Sequence, residues 1–180
     1  MSVGMLLIRV VVGLLFVGHG TQKLFGWFGG NGREGTAGFM ASLGYPAPDV
    51  TAVVGGLAES LGGLLLLLGF LTPLGAALVI GMMVSAILAV HARNGLWNSG
   101  GGIELPLVYL IVATAVAFGA GRYSLDRVIG WGWNHRLVAL VALLVGIVGG
   151  VVASLTRRTP DVARPSGEAT RPLDRHDRAA

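Results

Sequence analysis

The sequence predicts an all-α integral membrane protein: a four-helix transmembrane bundle followed by a fifth C-terminal transmembrane helix. Three observations predict it. The chain of 180 residues is 53% hydrophobic and only 12% charged, about half the roughly 25% charge of soluble domains, and its mean hydropathy is +0.73. Its apolar residues gather in runs close to the ~20 residues that a helix needs to cross a bilayer core of about 30 Å. Its basic residues sit mostly at the ends of those runs, and 6 of the 13 fall after Thr156, mixed with four acids. That distribution suits basic flanks on membrane helices and excludes a nucleic-acid-binding face. With no cysteine in the chain, disulfides, thiolate metal sites and thiol relays are excluded too.

The first run, Val3 to Phe28, ends in GHGTQKLFGWF, which sets His19, Thr21, Gln22 and Lys23 just ahead of Phe25, Trp27 and Phe28. Arg9 lies inside the apolar region and no convincing cleavage motif follows, so the segment reads as a retained helix and not as a secretory signal. A Gly-rich connection over 29–49 follows, and its LGYPAPD forces an extended approach to the second run. The second run, Val50 to Leu71, and the third, Leu74 to His91, are joined by the bare turn GFLTPLG, with Pro73 suited to a first helical turn. They therefore form an antiparallel hairpin. RNGLWNSGGGIELP leads to the fourth run, Ile103 to Ala120. YSLDRVIGWGWNHR is amphipathic and aromatic, as suits the interface. Leu137 to Leu155 is the fifth run, and the tail from Thr156 has too little to bury and reads as disordered. The chain thus divides into a four-helix core (1–127), an interfacial segment with the fifth helix (128–155) and a basic tail (156–180). The charges place the tail in the cytoplasm and the N-terminus outside, in a multi-pass protein of the bacterial plasma membrane.

Charges inside apolar spans are costly, by ~2.5–3.5 kcal/mol on insertion scales, and they mark functional sites by default. Glu59, in GGLAESLGG, is flanked by glycines that make its face a close-contact one, so its carboxyl points into the bundle. Arg9, Gly13, Phe16, Gly20 and Lys23 form one helical stripe, and Arg9 or Lys23 is its natural partner. In an alternating bundle, His19, Gln22, Lys23, His91, Arg93, Asn94, Trp97, Asn98 and Glu104 meet at one membrane face. The aromatics there suit an interfacial belt, and Glu104, close before Pro106, suits a helix cap as well as a site. The candidate ligand-binding residues are Glu59, Lys23, His19, Arg9, Glu104 and His91. Neither a metal nor a haem signature accompanies them, so no metal is expected. A cation-lined recess rimmed by aromatics suits a small amphipathic ligand with a carbonyl or anionic end, such as a quinone headgroup or a small oxyanion.

GHGTQKLFG, LGYPAP, AESLGGLLLLLGFLTPLGAALVIGMM, GGIELPLVYL and GAGRYSLD, in this order and spacing, resemble the DoxX family of small bacterial and archaeal membrane proteins. The resemblance covers about residues 5 to 127, with Arg9, His19, Lys23, Glu59 and Glu104 as family-like polar positions and Gly121, Ser124 and Asp126 in the closing motif. It implies a four-helix membrane bundle. Founding members are linked to complexes that oxidise thiosulfate or quinol, and actinobacterial relatives to anchoring of oxidative-stress enzymes. The fifth run and the tail lie outside it. The expectation is a redox-linked, quinone-associated membrane subunit, at most one part of an oxidoreductase complex, because the chain has no electron-carrier motif and needs a redox-enzyme partner. A non-catalytic scaffold that recruits such enzymes and a small-molecule transporter are the alternatives. Glycine-lined faces also allow a homo-oligomer.

Overall fold

The computed structural model describes residues 2–131 and 135–158. Its helices are α1 (Ser2–Phe25), α2 (Gly32–Ser42), α3 (Pro48–Leu68), α4 (Thr72–Ala86), α5 (Glu104–Ala117), α6 (Leu125–Val128) and α7 (His135–Leu155). A π turn, Ile87–His91, prolongs α4. Among the described residues, four helical stretches are long and apolar enough to cross a membrane: Val3–Phe25, Pro48–Leu68, Thr72–Asn94 and Arg136–Leu155. The fourth expected span is shorter than the sequence suggests, because α5 holds only 14 residues and the chain leaves the helix at the glycines of 119–121. The Gly-rich connection is also more ordered than expected, since α2 forms within it and packs on α1 and α3. Of the expected basic tail, Thr156 to Arg158 are described, and the rest lies outside the described residues.

Glycine sets how closely the helices approach. A β-carbon on Gly13 would lie 2.7 Å from the Gly63 carbonyl oxygen, and one on Gly20 would lie 2.5 Å from that of Gly56. These two pairs, each seven residues apart on its own helix, zip α1 against antiparallel α3. Gly62 and Gly75 do the same for α3 and α4, and Gly81 and Gly150 for α4 and α7. Close backbone approach of this kind replaces the hydrophobic drive that lipid does not supply. Phe16, Leu66, Val79, Ile80 and Val116 fill the centre, and Phe16 meets Tyr109 edge-on at 5.3 Å between ring centres.

The bundle end that holds the α1 N-terminus is locked by two polar residues. Gly69, left-handed at φ 62°, closes α3; its N–H donates to Leu66 O and that of Phe70 to Leu65 O, a Schellman close. Arg9, 1% exposed, lies against Gly69. Its Nε donates to Leu66 O at 2.9 Å, Nη2 to Leu67 O at 3.2 Å and Tyr123 O at 3.1 Å, and Nη1 to Ala120 O. A cation at the last carbonyls of α3, Leu66 O and Leu67 O, is favoured by the helix dipole, and the Ala120 and Tyr123 carbonyls of the loop after α5 complete its shell. Asp126 caps α4, accepting from Leu71 N at 2.8 Å and from Thr72 N and Oγ1 at 3.0 and 2.6 Å. Together they tie the α3–α4 hairpin to the GAGRYSLD segment after α5.

Candidate ligand-binding site

At the opposite end the helices splay around a cavity of about 540 Å³. The end of α1 supplies His19, Gln22 and Lys23; α2 and the residues after it supply Thr36, Phe39, Met40, Leu43 and Tyr45; α3 supplies Glu59; α4 and its π turn supply Met82, Ser85, Ala89, Val90 and His91. The volume falls in the range of small-molecule pockets, mostly apolar walls with a few convergent polar groups.

Glu59 lies eleven residues into α3, about 16 Å along its axis. Its side chain is 5% exposed, and Oε1 accepts a hydrogen bond from Lys23 Nζ at 2.6 Å. Lys23 is 28% exposed, so the cation stands between the buried carboxylate and the mouth. Glu59 Oε2 is buried and has no hydrogen-bond partner. An orphaned buried acceptor costs about 1–3 kcal/mol, more for a charged group, which makes it the least satisfied atom of the cavity wall.

The two imidazoles are held alike. His91 Nδ1 lies 2.6 Å from Gly101 O; a carbonyl only accepts, so Nδ1 carries the proton and the neutral ring keeps Nε2 as an acceptor. His19 Nδ1 lies 3.2 Å from Gln22 Oε1, while Gln22 Nε2 donates to Phe28 O at 3.2 Å, which sets the amide and hence the same tautomer. Tyr45 OH and Ser85 Oγ share a hydrogen bond at 3.2 Å across the wall. Thr36 Oγ1 donates to Lys23 O at 3.3 Å, fastening α2 over the end of α1. Among the described residues, no three His, Asp or Glu side chains converge as a metal site would require.

The comparisons with known proteins agree with this architecture. The DoxX family model matches residues 4–92. Inner membrane protein YphA of Escherichia coli is 31% identical over 133 residues, 68% of this chain and 88% of YphA. This chain belongs to the DoxX family. Rv3486, an uncharacterized membrane protein of Mycobacterium tuberculosis, is 32% identical over 132 residues, 67% of this chain and 77% of its own length. A Bacillus subtilis protein named "Putative oxidoreductase CatD" is 29% identical over 122 residues, 68% of this chain and 83% of that protein. No solved structure matches. A DoxX protein with these apolar helices and inner-membrane relatives is a multi-pass protein of the bacterial inner membrane.

Within this DoxX chain, His19, Lys23, Glu59 and His91 come together on one cavity. Lys23, not Arg9, pairs with Glu59. Arg9 does not line the cavity, because it stands fourteen residues before Lys23 on α1, about 21 Å away along the axis, and serves the carbonyls at the other end. Glu104 does not line it either; its Oε2 accepts from Asn98 N at 2.8 Å and so braces the loop before α5. Tyr45, Ser85 and the α2 residues Phe39 and Met40 escaped the sequence reading. Only LGYPAP, which carries Tyr45, signalled any of them.

Proposed function

We propose that this protein is a redox-linked membrane subunit that binds a quinone-type headgroup in the cavity beside Glu59 and works with a partner enzyme that exchanges the electrons. The orphaned Glu59 Oε2, set in a cavity with a lysine and two Nδ1-tethered histidines, is the observation that carries this reading. The residues fit both redox forms of such a ligand. Lys23 Nζ has three donors and commits one to Glu59, so it can donate to a ring carbonyl. Glu59 Oε2 and the histidine Nε2 atoms can accept from ring hydroxyls. When bound, a quinone would supply two-electron, two-proton chemistry. Lys23 orients the carbonyl end and stabilises negative charge on it; Glu59, His19 and His91 hold or take up the protons. Phe39, Met40, Leu43 and Met82 shield the ring from water. The name of the Bacillus relative supports the redox assignment.

The test is thermal unfolding in mild detergent during titration with a water-soluble menaquinone analogue kept reduced under anaerobic conditions. A ligand of the folded state alone stabilises by about 2.7 kcal/mol at a hundred times its dissociation constant, so the wild-type midpoint rises and saturates. In Glu59→Gln, an amide N–H replaces the free acceptor and faces a hydroxyl donor, and the rise is lost. A wild-type midpoint that stays flat through the titration overturns the quinone reading and favours a non-catalytic scaffold.

A further inference from the structure

The C-terminal end of α7 reaches the cavity wall. Arg157 Nη1 donates to Ala89 O at 3.0 Å and Nη2 to Leu88 O at 3.2 Å, while Nε donates to Ser154 O at 3.2 Å, fixing the guanidinium on its own helix. Leu88 and Ala89 belong to the π turn that ends at His91. A π turn widens the helix and departs from α geometry, and single turns of this kind occur often at functional sites. The last carbonyls of a helix also lack partners within it, and a planar, always charged fork is the side chain best matched to two of them at once. One residue on, Arg158 N donates to Gly44 O at 2.8 Å, between Leu43 and Tyr45 of the same cavity. A β-carbon on Gly44 would strike the Arg158 carbonyl oxygen, so this close approach requires glycine there. Two successive residues thus join α7 to both flanks of the mouth.

We infer that Arg157 is a positioning residue for the cavity: its fork on the Leu88 and Ala89 carbonyls fixes the π turn that sets His91 toward the ligand. The family match ends at residue 92, so this brace comes from a helix outside the matched segment. His91 is held from two sides, by Gly101 O on its ring and by Arg157 on Leu88 and Ala89 of the turn that ends at it. Without Arg157 the turn loses its outer support and the ring loses its fixed orientation. The effect on affinity rests on the quinone reading; the effect on the ring does not.

The experiment uses full-length protein carrying ¹⁵N-histidine, with His91→Gln to assign the His91 signals, and compares wild type, Arg157→Gln and Arg157→Lys. In wild type, His91 shows one tautomer, with the proton on Nδ1; in Arg157→Gln the two nitrogens average. Arg157→Lys, which keeps the charge and one carbonyl contact, retains most of the wild-type signal and serves also if the Gln variant fails to fold. In parallel, the dissociation constant of the reduced menaquinone analogue rises about tenfold in Arg157→Gln but less than about twofold when the same change is made in His91→Gln, as coupled neighbours behave. An unchanged Nδ1–H tautomer in Arg157→Gln, or an affinity loss equal in both backgrounds, overturns the inference. If wild type binds no analogue, the quinone reading falls and the tautomer measurement alone decides the role of Arg157.

Discussion

Removing the charge of either partner abolishes the same Lys23–Glu59 ion pair at 2.6 Å, yet the two changes differ in cost. Lys23→Met leaves a carboxylate with 5% of its side chain exposed, Oε2 already orphaned and Oε1 now orphaned as well. Stranding one member of a buried pair costs about 3–5 kcal/mol. Glu59→Gln leaves a lysine that is 28% exposed, whose long stem can carry the ammonium to the mouth, and the amide oxygen still accepts from Nζ. That loss is about 1 kcal/mol, because the hydrogen bond survives and only its charge assistance is lost. For a chain of this size each kcal/mol shifts a melting midpoint by about 2–4 °C. Thermal unfolding in one detergent should therefore show a drop of about 6–20 °C for Lys23→Met and about 2–4 °C for Glu59→Gln. The double variant should be more stable than Lys23→Met alone, since the stranded charge is gone. Equal drops, or a larger one for Glu59→Gln, would refute the claim that the buried carboxylate depends on the lysine.

Gly20→Ala puts a β-carbon 2.1 Å from Ser60 Oγ and 2.5 Å from Gly56 O, so it should force α1 from α3 and cost about 1–3 kcal/mol. Gly18→Ala meets no atom within 4 Å and should gain up to about 1 kcal/mol from helix propensity; melts that move together would contradict the zipper. Asp126→Ala removes three hydrogen bonds from the start of α4, at about 2 kcal/mol for the cap, and leaves Leu71 in its strained left-handed backbone at φ 45° without the acceptor that offset it. Leu71→Gly in that background should recover about 1 kcal/mol. Protease cleavage at the α3–α4 turn reports the same loosening, and an Asp126→Ala protein that resists cleavage as wild type does would rule it out.

Much of this was legible in the chain. Apolar run lengths gave the spans, and the glycines around Glu59 gave its inward face because a missing side chain is itself a statement about distance. The shared stripe narrowed the partner of Glu59 to Arg9 or Lys23, and only the packed helices single out Lys23. Arg9 was harder: helical spacing shows that it shares a stripe with Lys23, but its partners are main-chain carbonyls, which every residue has and no sequence pattern marks. Helix α2 was hidden by composition, since GREGTAGFMAS carries three glycines and forms a helix where it rests on α1 and α3. The fixed tautomer of His91 was beyond reach because it depends on Gly101, ten residues on, folding back across a loop. Asp126 stood in a quoted motif, yet its role as a cap for a helix that begins 54 residues earlier appears only in three dimensions.

The shortness of α5 has a consequence for the surrounding lipid. Fourteen residues span about 21 Å, against a hydrocarbon core of about 30 Å. Leu105, Val108, Ile111 and Phe118 are exposed along it, so that flank of the bundle meets acyl chains directly. Lipids beside it must tilt or shorten to cover the helix without burying its ends, while those beside α1 and α3 need no such adjustment. A bilayer matched to α1 and α3 would have to thin on the α5 side, and lipids with shorter or more disordered chains should gather there.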